Sequence, residues 1–342
     1  MPSQNGSYRA FEVTGARKFE LVSRRLPEPA ARQVRIRVEA CGVCHTDAAA
    51  AEGLRADPSL PIVPGHEIVG VIDAVGGEVR GWRIGERVGV GFLGGQCGEC
   101  DPCRRGDFVN CADQPQLGIT ADGGYAEAIL ARSSGLVRVP EGMSSVEAAP
   151  LLCAGLTMFK ALQQIHGRPG ALVAIQGIGG LGHLGLQYAA KLGYRVAAVA
   201  RGGAKAEAAG RLGADHYIDS SVTDPGAALR ELGGAALIVA TATTGASMAP
   251  LPAGLAPGGR MVVVGAAPDP IPVSPADLIF GSRSVSGSLT GTSIENEDNL
   301  AFSERHGISP MVEVMPLSRA PEAYERMMSG QARFRIVLDA AA

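Results

Sequence analysis

Four cysteines within fifteen residues, Cys97-x2-Cys100-x2-Cys103-x7-Cys111, constrain this chain more than any other feature. They stand among Gly98, Asp101, Pro102 and Gly106. Thiolates at this spacing can close a tetrahedral site around one Zn²⁺, and a closed site leaves no open coordination position, which makes it structural. Four free thiols in a loop and an iron–sulfur cluster are the alternatives that spacing alone leaves open.

The chain has seven cysteines in all, and its first 15 residues lack the basic start and apolar core of a secretory signal. Metal ligands or free thiols in a cytoplasmic setting are therefore expected rather than disulfides. No uninterrupted apolar stretch reaches the about 18 residues of a membrane span. The richest, 148–159, is short and carries Cys153 and Thr157. A net charge of −3 and a pI near 6.1 give no electrostatic case for nucleic acid or an anionic membrane.

A length of 342 residues argues for two domains. Residues 1–150 carry short β-type runs broken by Gly and Pro: Val34–Val38, Ile68–Val75, Arg87–Val90 and Tyr125–Leu130. An irregular, mainly β domain follows. From 151 to 289 the pattern changes. Leu172–Gln176, Arg195–Ala200, Ala236–Ala240 and Met261–Gly265 read as buried strands, with helical stretches such as His183–Leu192 between them. Alternation of this kind predicts an α/β domain with a parallel sheet built from βαβ units. Residues 290–342 return to mixed signals and end in a strand at Phe334–Leu338, with no internal repeat anywhere.

A second set of metal-type residues is scattered: Cys44-His45-Thr46-Asp47, Gly65-His66-Glu67 and Cys153. Taken singly, each reads equally as packing, and Cys41 with Cys44 has the spacing of a redox pair. A third signal is Gly177-Ile178-Gly179-Gly180-Leu181-Gly182, directly after the strand Leu172–Gln176 and opening a helix. In that context G-x-G-x-x-G is the dinucleotide fingerprint, whose glycines let the backbone approach a pyrophosphate at a helix N-terminus. A glycine turn for close helix–strand packing is the plainer reading.

Taken in order, these motifs resemble the zinc-containing medium-chain alcohol dehydrogenases, especially the bacterial, yeast and cinnamyl-alcohol-like types. The resemblance runs nearly end to end. It rests on CGVCHTD at 41–47, PGHEIVG at 64–70, GQCGECDPCRRGDFVNC at 95–111, APLLCAGLT at 149–157 and GIGGLGHLGLQYAAKLG at 177–193. It implies a GroES-like catalytic domain with two zinc ions and a Rossmann domain, with a doubly wound parallel sheet, for the cofactor. It implies Cys44, His66 and Cys153 as ligands of a catalytic zinc, with Cys41 spare. Asp47 is then expected to orient His66, Glu67 to stand beside the metal, and Thr46 to pass on the substrate proton. His45 and Arg335 match contacts to the cofactor pyrophosphate, and Thr157 with Val264-Gly265-Ala266 matches a seat for the nicotinamide. Five residues past Cys44, where many relatives end the proton relay in histidine, this chain has Ala49.

Phe92, Leu54 and Leu289 match pocket positions and are apolar, so the implied substrate is a primary, uncharged alkyl or aryl alcohol or its aldehyde. A secondary alcohol or ketone is the alternative. Cys153 stands where polyol dehydrogenases of the superfamily usually place an acid. A zinc-ribbon binding module would leave the second metal-type set unexplained, and zinc-free C=C reductases of this fold would not need it. The length resembles that of tetrameric members, which implies a homo-oligomer, a tetramer or dimer. The cofactor expectation comes from the second strand. It ends at Ala200, 18 residues past Gly182, with no carboxylate for the ribose hydroxyls. Arg201 and Lys205 follow instead, which favours NADP(H), with NAD(H) as the alternative.

Overall fold

The computed structural model describes residues 6–55, 57 and 61–341. In chain order the strands are β1 (Ser7–Gly15), β2 (Lys18–Arg25), β3 (Gln33–Val43), β4 (Ile68–Val75), β5 (Arg87–Val90), β6 (Ala128–Arg132), β7 (Leu136–Arg138) and β8 (Leu172–Gln176). They continue with β9 (Arg195–Ala200), β10 (His216–Asp219), β11 (Ala235–Ala240), β12 (Leu255–Val263), β13 (Ser284–Gly287), β14 (Val312–Pro316) and β15 (Arg335–Asp339). The chain divides into two compact units, Met1–Leu156 with Thr290–Ala342, and Thr157–Leu289. Residues 151–156, assigned by sequence to the second domain, cluster with the first unit. Their apolar side chains are buried there, and the Leu151 and Leu152 carbonyls accept from Asn299 and Asn296.

In the first unit a seven-stranded sheet runs β14-β15-β3-β4-β5-β7, with β6 also on β3, and β1 pairs with β2 apart from it. All its pairings are antiparallel except β14 with β15. Alternation explains β3, where Val34, Ile36, Val38 and Ala40 face the core. At its end the alternation stops, and Cys41 to Cys44 are all buried. There the Gly42 N–H donates to the Glu67 carbonyl at 2.9 Å and Cys41 pairs with Ile68. The close of β3 and the approach to β4 are thereby drawn together.

The second unit is a six-stranded sheet, β10-β9-β8-β11-β12-β13, with every pairing parallel. Counted from β8, the order is 3-2-1-4-5-6, the doubly wound arrangement. Its crevice for a ligand lies at the carboxyl ends of β8 and β11, where the winding reverses. Strands β8 and β11 are buried almost throughout, as continuous apolar runs require when helices cover both faces.

Ser145–Leu162 forms one continuous helical stretch, apolar and long enough by composition to cross a bilayer, yet 78% buried inside the protein. It is a core helix. Ser144 starts it with a capping box, accepting from the Glu147 N–H at 3.2 Å. Its middle, Leu151–Gly155, widens into a π-helical turn. The expected strand at Tyr125–Leu130 begins only at Ala128. Tyr125 is instead bonded through its N–H to the Pro64 carbonyl at 2.9 Å, which ties it to the His66 segment.

Candidate active site

Three segments of the first unit converge. Cys44 stands in extended backbone just past β3, His66 just before β4, and Cys153 in the middle of the π-turn. Ligand atoms of Cys44, His66, Glu67 and Cys153 all lie within 4.8 Å of one another. The turn His45–Asp47 after Cys44 has two faces: His45 and Thr46 are exposed, and Asp47 is 1% exposed. The Asp47 Oδ2 accepts from the Cys44 N–H at 3.0 Å and from the Tyr125 hydroxyl at 2.9 Å. Its Oδ1 lies 3.0 Å from His66 Nδ1, at ion-pair distance but off the line of the ring N–H. Asp47 thus lies against His66 Nδ1, but without the hydrogen bond that the family resemblance implies.

The electrostatics suit a cation. His66 is fully buried, and its Nε2 has no protein partner. Burial is the largest influence on its pKa and opposes the charged form; the carboxylate of Asp47 and the thiol of Cys44 outweigh it and raise the pKa. The Cys153 thiol, then the charge of His66, hold Cys44 well below an ordinary thiol. Burial raises Glu67 to about 7 against the pull of Arg335. Glu67 Oε1 pairs with the Arg335 guanidinium, while Oε2 has no partner. Two thiols, one imidazole nitrogen and a free carboxylate oxygen are a fitting donor set for zinc.

The other cysteine set lies in the same unit. Sulfur–sulfur distances are 3.6 Å for Cys97–Cys111, 3.9 Å for Cys100–Cys111 and 4.0 Å for Cys97–Cys103. A tetrahedral ion with Zn–S bonds of about 2.3 Å requires sulfurs about 3.8 Å apart. All seven cysteines are free thiols in the structure. Backbone N–H groups of Glu99 and Cys100 reach Cys97 Sγ at 3.4 Å each, and that of Ala112 reaches Cys100 Sγ at 3.4 Å. The Ala112 and Cys103 amides bring Cys100 down to about 6, whereas burial lifts Cys103 to about 12.

In the second unit the glycine loop joins β8 to the helix Gly182–Lys191. Gly177 has φ +85°, which L side chains avoid, and a Cβ on Gly182 would lie 1.8 Å from the Gly177 carbonyl. A Cβ on Gly179 would meet nothing within 4 Å. Two of the three glycines therefore build the turn, and Gly179 lines open space where a ligand backbone can approach, beside Gly180 and Leu181. Thr241 fastens the loop by donating to the Gln176 carbonyl at 2.7 Å. Lys205 Nζ donates to the Ile178 carbonyl at 2.7 Å, which brings that ammonium to the loop.

Arg201 is exposed beyond the end of β9. A carboxylate does stand level with Ala200, on the neighbouring strand: Asp219 Oδ1 accepts from the Gly202 N–H at 2.8 Å and from Ser221. Thr157 is 7% exposed at the start of this unit. Val264 and Gly265 follow β12, and a Cβ on Gly265 would lie 2.1 Å from the Ala242 carbonyl.

Not every expected residue is gathered into a site. Phe92 packs edge-on to His66 with centroids 5.4 Å apart, whereas Leu54 and Leu289 are 75% and 51% exposed. Arg335, expected at the cofactor pyrophosphate, is 4% exposed and engaged with Glu67. Tyr125 behind Asp47 escaped the sequence reading, as did Gly42, where any Cβ would strike Glu67 Oε2 at 1.8 Å. The only sequence signal for Gly42 was its place between Cys41 and Cys44.

Two family models match the chain: an alcohol dehydrogenase GroES-like domain over residues 30–141 and a zinc-binding dehydrogenase over 180–305. Alcohol dehydrogenase notN of Aspergillus sp. (strain MF297-2) is 45% identical over 315 residues, covering 92% of this chain and 91% of its own. An alcohol dehydrogenase of Geobacillus stearothermophilus is 40% identical, with 90% and 91% covered. Among solved structures, a cinnamyl alcohol dehydrogenase from Sorghum bicolor superposes with a TM-score of 0.89 at 31% identity, covering 98% of both chains. Similarity of this extent, on a chain that gathers two clusters of metal-type side chains, makes it a member of the zinc-binding medium-chain alcohol dehydrogenase family.

Proposed function

We propose that this alcohol dehydrogenase interconverts a primary, uncharged alkyl or aryl alcohol and its aldehyde, with NADP(H) as its preferred cofactor. The observation that carries the reading is the convergence of Cys44, His66, Glu67 and Cys153 around a His66 Nε2 without a protein partner. In this reading each chain holds two zinc ions, one in the closed cysteine set and one on Cys44, His66 and Cys153. The second ion, when bound, supplies the Lewis acidity that polarises the substrate oxygen. Asp47 fixes the tautomer of His66, Glu67 with Arg335 sets the charge beside the ligands, and exposed Thr46 carries the substrate proton away. Thr157, Val264 and Gly265 seat the nicotinamide of the cofactor, while buried Arg335 is committed to Glu67 rather than to the cofactor phosphates. The apolar ring of Phe92 beside His66 supports an uncharged substrate, and the cinnamyl alcohol named for the Sorghum structure is a primary alcohol that carries an aryl group.

The cofactor preference rests on the end of β9. Asp219 Oδ1 accepts from the Gly202 N–H and from the Ser221 N–H and hydroxyl, so this carboxylate orders the turn that carries Arg201. Arg201 and Lys205 then offer two cations to a 2′-phosphate, with the Arg201 fork able to bind it bidentately. A charge-assisted hydrogen bond contributes about 1.5–3 kcal/mol, roughly 10–100-fold in kcat/KM. An alcohol and aldehyde panel, run with each cofactor and followed by nicotinamide absorbance, tests both parts. Wild type should favour NADP(H), and Ala200→Asp/Arg201→Gly should reverse the preference. A wild type that prefers NAD(H), or that turns over only polyols or ketones, overturns the corresponding claim.

A homo-oligomer is supported by the edge strand β13 and by Ile279 and Phe280 nearby, 70% and 89% exposed. Light scattering that gives the monomer mass at working concentration would refute it. Seven unpaired thiols support a reducing, cytoplasmic setting.

A further inference from the structure

Helix Ser293–His306 buries an unusual stripe. Its inward positions are Asn296, Asn299, Leu300 and Ser303, so three of the four are polar. A helix normally turns apolar residues to the core, because a buried amide without a partner is costly. Here both amides have partners, and the partners lie on one short segment. Asn296 Nδ2 donates to the Leu152 carbonyl at 3.0 Å, and Asn299 Nδ2 donates to the Leu151 carbonyl at 3.0 Å. Asn299 also donates to Asn296 Oδ1 at 3.2 Å, and the Ser303 hydroxyl donates to the Asn299 carbonyl at 2.8 Å. These four hydrogen bonds connect the three polar residues to one another and to the Leu151–Leu152 segment.

Leu151 and Leu152 immediately precede Cys153 in the π-helical turn. In that turn the Leu156 N–H reaches back to the Leu151 carbonyl, five residues away rather than four. Turns of this width occur mostly as single interruptions of α-helices at functional sites, and they do not persist on propensity alone. Two glycines also pack closely on this turn. A Cβ on Gly91 would lie 2.8 Å from the Leu152 carbonyl, and one on Gly89 would lie 2.8 Å from the Leu152 side chain.

We propose that Asn296 and Asn299 are positioning residues that hold the π-turn in register and so fix where Cys153 presents its sulfur to Cys44 and His66. This rests on reading those three residues as a zinc site. A metal ligand must be held to within about half an ångström, and partners behind the ligands are worth about 10–100-fold in metal affinity. The two carbonyls are the handles by which a distant helix reaches the one ligand that lies on no strand end.

The test is zinc release from the purified full chain into a chromogenic chelator. Wild type should give two phases, one from each zinc set, and Cys153→Ser identifies the catalytic phase by its absence. Asn296→Leu and Asn299→Leu, near-isosteric but without donors, should speed the catalytic phase by about 10–100-fold and leave the structural phase alone. With cobalt in place of zinc, the thiolate-to-cobalt charge-transfer band of the catalytic site should shift in the same variants. Should the leucine variants fail to fold, Asn296→Ser, smaller and still polar, is scored in their place. An unchanged catalytic phase in a folded variant overturns the proposal, as does equal acceleration of both phases, which would report general loosening. A wild type holding no zinc outside the four-cysteine set overturns the zinc reading itself, and the proposal with it.

Discussion

Cys100→Ser is expected to leave the protein short of its structural zinc and unable to hold its native fold around residues 97–111. That segment has little else to organise it: Gly98, Glu99, Asp101, Arg104, Arg105, Gly106 and Asp107 are all exposed, and Cys103 and Cys111 are its buried side chains. Zinc binding at a closed thiolate site contributes on the order of 10 kcal/mol to folding, comparable with the whole stability of a domain. Cys153→Ser should behave in the opposite way. Its neighbours Leu152 and Ala154 are packed, so the helix remains, while the proposed open site would lose one of its three protein ligands. Turnover should vanish, zinc should fall from two ions per chain to one, and the unfolding midpoint should change little. Elemental analysis with urea denaturation of both variants decides the matter. Fully active wild type with one zinc or none, or a Cys100→Ser protein as stable as wild type, would sink the two-site reading.

The contrast between those cysteine sets also shows what the sequence could disclose. Cys97 to Cys111 could be grouped from spacing, because a local loop must bring them together whatever the rest of the chain does. The glycine loop was legible for the same reason: strand, turn and helix follow one another directly. Buried parallel strands announced themselves as apolar runs, so β8 and β9 match their expected ranges. Cys44, His66 and Cys153 were different. Nothing in their separate surroundings joins them, and only the family resemblance did so; in the structure the Gly42–Glu67 backbone bond and the π-turn perform that task.

What escaped had a physical cause in each case. Strands β10 and β13 lie at sheet edges and are only partly buried, so their sequences lack a clean apolar run. The 290–342 segment read as mixed because helix Ser293–His306 buries asparagines, which hydrophobic periodicity counts as surface. The Glu67–Arg335 pair joins residues 268 positions apart in the sequence, and no local pattern encodes such a contact. Asp219 belongs to the next strand, where register sets it level with Ala200, and no pattern along β9 reveals it.

Thr46→Val should lower kcat by a factor of about 10²–10⁴, the usual worth of a positioned proton-transfer group, with both zinc ions retained. Valine matches threonine in shape, and Thr46 is exposed, so packing should hardly register the change. The hydroxyl stands 3.7 Å from Cys44 Sγ, at the rim of the metal set, on the one face of the His45–Asp47 turn that points outward. Asp47 on the opposite face is already committed to Cys44, Tyr125 and His66 and cannot take the substrate proton as well. A hydroxyl can accept that proton while donating its own, which neither valine nor Ala49 can do. Ala49 follows in the short helix Ala48–Ala51 and is half-buried, so the relay has no second side chain there. Ala49→His should therefore raise alcohol oxidation near neutral pH in the wild-type background and have no such effect beside Thr46→Val, since the added base needs the hydroxyl to reach the substrate. Steady-state kcat across pH for the two single variants and the double variant measures this dependence. Near wild-type turnover in Thr46→Val would show that the proton leaves by another path, and a gain from Ala49→His that survives loss of the hydroxyl would show that the histidine does not act through Thr46.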